Sequence, residues 1–389
     1  MNVRSPYLGL VVLGMTACRA AAPLPDLVPD RITAVVDSLA RTKNIPGIAV
    51  GVLRPGRPDY ARGFGTVRLG SDSAVTPSSI FHMASVTKPF VATAVLQLVE
   101  QGKVSLDSSI TSYVPWFRMK DPRYREITVR QLLTHTAGMP DVTDYRWEHP
   151  EYDGGSLERY VRGLADSTLI AAPGKQWAYS NIGFELLAQA IATVSGEEFE
   201  TYVQRHILTP AGMTHSTLLM TDVDSAHLAT GHLMAEDGTV AVSPVYPYNR
   251  RHAASSTLHS NLTDMLRWAR VNLGHGAADG TRILPATAYG PLWTPVRDLT
   301  AELQAAYQRA GLQPPFASYQ IGLSWFIIRY RDRVLIEHGG SDRGFRSSLI
   351  LVPQDSVAIV VLANGDRADV EAISRTILDL LFTDRPKAP

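Results

Sequence analysis

The sequence predicts an α/β protein of the α+β type, in which an antiparallel sheet flanked by terminal helices carries an inserted, mostly helical lobe. Three observations lead there. Short β-rich runs occur at both ends of the chain, over 47–68 and again after 318. The later runs are separated by tight turn signals, Arg331-Asp332 and Pro353-Gln354-Asp355, which favour antiparallel hairpins over parallel crossovers. Between the two sets, about 85–275, the apolar periodicity is mostly helical.

Taken from the N-terminus, Arg4 followed by the apolar stretch Tyr7–Met15 reads as an export leader too short to span a bilayer. Small residues Thr16 and Ala17 then precede Cys18, the only cysteine, in an arrangement resembling a bacterial lipobox with Met15 in place of the usual Leu. This predicts a leader over 1–17, lipidation at Cys18 and an Ala/Pro-rich tether over 18–29, with an ordinary cleaved leader as the alternative. The expected location is the cell envelope or periplasm, with contact to the membrane through the Cys18 anchor alone. One cysteine also leaves no intrachain disulfide, so stability comes from packing.

A single domain is expected over 30–383, its sheet lobe about 30–80 and 318–383 and its helical lobe about 85–275. Asp30 is placed as the cap of a helix through Thr42 that turns Ile32, Val35, Val36 and Leu39 to one side. Strands are expected over 47–54 and 60–68, joined at Pro55-Gly56. Helices are expected over 86–101, 182–195 and 263–273, each with glycine behind it as the stop. Strands follow over 320–330, 333–338, 345–352 and 357–363, and an amphipathic helix over 370–381 closes the domain.

Composition narrows the partners. The 37 basic and 37 acidic residues cancel to a net charge of +0, and no basic run or stripe is present. Nucleic acid is therefore not an expected partner, whereas a small-molecule or peptide substrate is. Eleven histidines include no H-E-x-x-H arrangement, so metal-assisted hydrolysis has no support and no metal or cofactor is expected.

The chemistry-bearing residues fall in three places. Ser85-Val86-Thr87-Lys88 opens a helix, and residues i and i+3 share a face, so the lysine amine can meet the serine hydroxyl. A serine is a weak nucleophile until a base takes its proton, and a buried lysine with a lowered pKa can be that base. Of six lysines, Lys88 alone has serine three residues before it. Next comes Tyr179-Ser180-Asn181, where a tyrosine beside an ammonium can have its phenol pKa lowered and act as base or relay, while the asparagine can hold both the lysine and a substrate amide. Third is His338-Gly339-Gly340 at the end of a strand and before a Ser341-Asp342 turn, where an edge strand can offer the Ser341 N–H to an oxyanion jointly with the Ser85 N–H.

In this order, 94 and then 159 residues apart, the three elements resemble the serine β-lactamase and penicillin-binding-protein superfamily, in particular its class C β-lactamase and D-alanyl-D-alanine carboxypeptidase branch. The segments Phe81–Ala84, Leu132–Gly138 and Pro210–Met213 agree, and the similarity runs from about 30 to 383. The resemblance implies Ser85 as the acylated nucleophile and Lys88 with Tyr179 as the base and relay pair. It further implies Asn181, His338, Gly340 and Ser341 at the substrate, the backbone N–H groups of Ser85 and Ser341 as the oxyanion hole, and no cofactor.

One departure bears on substrate. Penicillin-recognising relatives carry Thr or Ser where this chain has Gly339, and that hydroxyl helps bind the substrate carboxylate. Its loss points towards an esterase, amidase or D-amino-acid peptidase, unless Arg343 or Arg346 supplies the charge. A β-lactamase, a D-alanyl-D-alanine carboxypeptidase and a slowly deacylating penicillin-binding or sensing module stand as alternatives. An α/β-hydrolase is disfavoured because Gly340-Ser341-Asp342-Arg343-Gly344 misses the G-x-S-x-G elbow by one residue. The segments 140–171 and 285–315 are expected to overhang the site.

Overall fold

The computed structural model describes residues 28–382; the leader, Cys18 and most of the tether lie outside the described residues. Helix α1, Val28–Thr42, already includes Val28 and Asp30, so Asp30 lies within the helix and residues 28 and 29, expected in the tether, are helical. Strands β1, Gly47–Leu53, and β2, Tyr60–Gly65, follow as a hairpin. The chain returns to the sheet with β3, Arg297–Asp298, β4, Ser318–Ile321, and β5, Phe326–Tyr330. It then runs through β6, Arg333–Asp342, β7, Phe345–Val352, and β8, Val357–Ala363. The spatial order is β2-β1-β8-β7-β6-β5-β4-β3, antiparallel at every pair. β1 pairs with β8, so the two ends of the chain form one sheet around everything inserted between them.

Alternation along the strands builds two cores. Ile48, Val50 and Val52 of β1 face one side with Ile350, Ile359 and Val361, packed against α1 and the terminal helix Val370–Phe382. Ala49, Leu53, Leu349, Leu351, Val360 and Leu362 face the other side and join the core of the helical lobe. Both faces are thus covered, which is why β1, β7 and β8 read as continuous apolar runs. Gly51 lets the helix Leu262–Leu273 lie directly on β1, since a Cβ there would meet Leu262 Cδ1 at 2.8 Å and Leu266 Cδ2 at 2.9 Å. Among the described residues no helix is long and apolar enough to cross a membrane.

Several boundaries differ from expectation, each for a local reason. The run 320–330 is two strands, because Ser324 takes a left-handed φ of 68° and reverses the chain between β4 and β5. β6 continues to Asp342, so His338-Gly339-Gly340 lies within a strand and the turn is Arg343-Gly344, with Gly344 at φ 81°. β6 is also an interior strand of the sheet. β5 reaches only to Glu337, so beyond that residue one side of β6 is left without a strand neighbour. Gly274 stops its helix with φ −83°, without the left-handed conformation seen at Gly196, φ 75°. Space demands glycine at 274, where a Cβ would meet the Ala277 carbonyl at 2.1 Å.

Candidate active site

Ser85 sits in a short 3-10 turn, Ala84–Thr87, that leads directly into helix α2, Lys88–Glu100. The residue before it, Ala84, is buried with φ 48°, a left-handed conformation costing a non-glycine residue about 1–3 kcal/mol. Surrounding hydrogen bonds hold the turn there. Ser347 Oγ donates to the Met83 carbonyl at 2.6 Å, the Met83 N–H donates to the Leu258 carbonyl at 2.8 Å, and Thr87 Oγ1 donates to the Ala84 carbonyl at 2.7 Å. At this first turn no preceding carbonyl takes the Ser85 N–H, which leaves it free to donate into the cleft.

Lys88 is fully buried, and its Nζ has three oxygen neighbours: Ser85 Oγ at 2.9 Å, Asn181 Oδ1 at 2.7 Å and the Ser255 carbonyl at 2.8 Å. Burial drives its pKa down to about 7 against the opposing pull of the Glu185, Asp342 and Asp141 charges. A neutral amine can donate to only two of those oxygens, and Asn181 Oδ1 and the Ser255 carbonyl have no proton to give. The remaining lone pair then falls to the Ser85 hydroxyl, which donates to Nζ. That is the geometry of a base poised on a nucleophile.

Asn181 opens helix α3, Asn181–Ser195, with Ser180 as the N-cap donating and accepting around it. The Asn181 amide is oriented by Asp141, whose Oδ1 accepts from Asn181 Nδ2 at 3.0 Å and from Asn181 N at 2.7 Å. This turns Oδ1 onto Lys88. Tyr179 lines the same cleft as Ser85, and its ring lies 5.0 Å from Lys88 Nζ. The expectation of a lowered phenol pKa is overturned: burial, the largest influence, pushes Tyr179 well above the usual tyrosine range, and the Asp141 and Asp342 charges add to it. Tyr179 therefore stays protonated, a donor for a leaving group, while Lys88 is the group able to act as base near neutral pH.

His338 is buried and donates Nδ1–H to the Gly339 carbonyl at 2.7 Å, leaving Nε2 without a partner. Burial and the nearby Lys88 depress its pKa to about 3, so it is neutral and offers no positive charge to Tyr179. Across the two-residue turn Asp342 and Phe345 form a hydrogen-bonded pair, so alternation makes Ser341 with Arg346 a non-bonded pair. The Ser341 N–H consequently points away from β7, on the side where β6 has outrun β5. His82 Nε2 lies 2.7 Å from Asp342 Oδ2 and ties this end of β6 to the segment entering Ser85.

Ser85, Tyr179, Asn181, His338, Gly340 and Ser341 line one cleft of about 630 Å³, with Lys88 beneath them. Segment 140–171 contributes Asp141 and Tyr145 to it, and segment 285–315 contributes Leu303 and Tyr307. Sequence reasoning missed Asp141, Glu371 and the Ser255 carbonyl, none of which carries a motif. It also quoted His135 without a role. That ring stacks on Tyr179 at 4.1 Å and accepts the Ser180 N–H at Nδ1, 3.1 Å, fixing the tyrosine. Gly340 is required by space: a Cβ there would meet both the Met83 carbonyl and Ser347 Oγ at 2.3 Å, and these two hold each other. Gly340→Ala is expected to cost about 1–3 kcal/mol by overpacking and to displace the Ser85 turn. Thermal unfolding, with the acylation rate of the folded fraction, checks both effects.

A sequence model of the family described as Beta-lactamase matches residues 32–383. Protein flp of Staphylococcus aureus (strain MW2) is 26% identical over 336 residues, 86% of this chain; the chain spans 62% of that relative's length. Two solved structures share the fold. The octameric penicillin-binding protein homologue from Pyrococcus abyssi superposes with a TM-score of 0.79 at 23% identity, covering 92% of this chain and 78% of the other. The D-amino acid amidase from Ochrobactrum anthropi SV3 gives 0.75 at 20% identity, covering 93% and 100%.

Proposed function

The chain belongs to the β-lactamase family, and from that premise we propose a serine hydrolase that cleaves an ester or amide through an acyl-enzyme on Ser85. The observation that carries the proposal is the buried Lys88 amine, 2.9 Å from Ser85 Oγ and held by Asn181 and the Ser255 carbonyl. Lys88 takes the Ser85 proton as Oγ attacks the substrate carbonyl. The Ser85 and Ser341 N–H groups receive the oxyanion, in a site that is already organised before charge develops. Tyr179, held protonated by burial and facing the same cleft as Ser85, gives its proton to the leaving group and is reprotonated from Lys88. Water then attacks the acyl-enzyme with the same groups in reverse roles. Asn181 holds Lys88 and touches the substrate, and His338 presents an acceptor at Nε2.

The proposed substrates are those of an esterase, amidase or D-amino-acid peptidase. Gly339 lacks the carboxylate-binding hydroxyl, and neither arginine replaces it. Arg346 donates back to the carbonyls of Asp342 and Phe345, both at 2.8 Å, and Arg343 lies towards Glu148 at 3.8 Å. The apolar stretch Tyr7–Met15 behind Arg4, with Cys18 after it, supports a lipid-anchored location at the cell envelope as part of the proposal. A fluorophosphonate is expected to add once, on the peptide containing Ser85, and to abolish hydrolysis of a p-nitrophenyl ester. Benzylpenicillin is expected to be turned over slowly or not at all. Absence of both labelling and ester hydrolysis would defeat the proposal, and rapid penicillin turnover would replace the substrate class with β-lactams.

A further inference from the structure

The Gly339 end of the cleft has its own chemistry. A Cβ on Gly339 would meet Glu371 Oε1 at 2.6 Å, so a carboxylate occupies the space a side chain at 339 would take. Glu371 also lines the cleft, on the first turn of the terminal helix Val370–Phe382. Five acidic residues line this cleft, Asp141, Glu337, Asp342, Asp369 and Glu371, against Arg375 as the one lining arginine. Arg375 is engaged by Glu337 at 3.3 Å and Arg346 by backbone carbonyls, so among the described residues Glu371 makes no ion pair. His338, whose buried Nε2 has no partner, lines the same cleft.

The same cleft is also lined by aromatic rings. From His338 a chain of ring contacts runs through Phe326 at 5.5 Å, Tyr319 at 5.3 Å, Phe316 at 5.2 Å and Tyr307 at 5.7 Å. All four of these rings line the cleft. Acidic groups and π-faces gathered in one cleft suit a cation with an apolar neighbour and disfavour a carboxylate.

We propose that this recess is an ammonium subsite, so that the enzyme selects esters or amides bearing a protonated amine about two residues, ~7 Å, along β6 from the Ser341 N–H. The inference rests on the hydrolase reading above. Burial pushes the Glu371 carboxyl above its usual range, with the Asp369 charge adding to the rise and the more distant Arg375 and Arg346 charges opposing it, and a bound ammonium adds a direct partner that no arginine makes. The polarity is the reverse of carboxylate recognition, which gives Gly339 a positive reason: it leaves room for Glu371.

Two matched substrate series test it on the full enzyme. One places the charge on the acyl side: D-phenylalaninamide, its N-acetyl form and its N-succinyl form. The other places it on the leaving side: aminoethyl, hydroxyethyl and carboxymethyl phenylacetate. In one series the ammonium member is expected to exceed the neutral member about tenfold in kcat/KM, as for one charged hydrogen bond, with the carboxylate member slowest. Glu371→Gln is expected to collapse that ratio, and if this variant does not fold, the wild-type ratios decide alone. Equal rates within both series, or a preference for the carboxylate, overturn the subsite while labelling at Ser85 leaves the hydrolase reading standing. A protein that neither labels nor turns over any of the six sinks both.

Discussion

Ser85→Ala is expected to lower kcat for any substrate the wild type cleaves by at least ~10⁴-fold, with the fluorophosphonate adduct gone from the intact-mass spectrum. The size follows from what one atom does. In the proposed reaction Oγ forms the covalent bond, and among the described residues Ser85 carries the one side-chain hydroxyl hydrogen-bonded to Lys88 Nζ. The fold is expected to tolerate the change, because Ser85 is only partly buried and its backbone is held by Met83, Ala84 and Thr87. A variant that unfolds at the wild-type temperature yet hydrolyses ester at more than about a hundredth of the wild-type rate would remove Ser85 from the mechanism.

Lys88→Met is the second large effect, and it separates catalysis from stability. Removing the base is expected to cost about 10²–10⁴ in kcat. In the wild type, kcat/KM is expected to rise with pH and level off above about 7, because only the neutral amine accepts the Ser85 proton. The stability sign runs the other way from a usual ion pair. The folded pKa of Lys88 lies below its ordinary 10.5, so between about 7 and 10.5 the unfolded chain holds the extra proton. Stability therefore rises with pH across that window, and the burial penalty is fully present below it. Met removes the titration while filling the same apolar space between Tyr179 and Phe184, whose rings lie 5.0 and 5.5 Å from Nζ. The difference in unfolding free energy between wild type and Lys88→Met is expected to change steadily over pH 7 to 10. A pH-independent difference would mean that Lys88 is not held neutral, and a kcat/KM profile flat from pH 5 to 9 would say the same of the reaction.

The reactive trio was legible because its chemistry is written in short-range spacing. One turn of helix brings Ser85 to Lys88, and Tyr179 and Asn181 flank a single N-cap at Ser180. His338-Gly339-Gly340 was placed on the right strand but at the wrong point along it. Glycine pairs normally signal a turn, whereas here β6 runs through them because Met83 and Glu371 approach the backbone from either face. The break at Ser324 was hidden for the opposite reason, since the residues flanking it, Ile321, Leu323, Trp325, Phe326, Ile327 and Ile328, are apolar and read as one run.

By itself, then, the sequence determined the fold class and the meeting of Ser85 with Lys88. These depend on periodicity and on neighbours three residues apart. Only the tertiary structure shows that Lys88 is driven towards its neutral form and Tyr179 away from ionisation, because a pKa depends on the dielectric and charges that distant segments bring together. Glu185, Asp141 and Asp342 surround Lys88 from three separate parts of the chain, and burial outweighs them all. It likewise decided that Gly339 faces a carboxylate. Glu371 lies thirty-two residues away on another element, and nothing in the local sequence of either residue records that they meet.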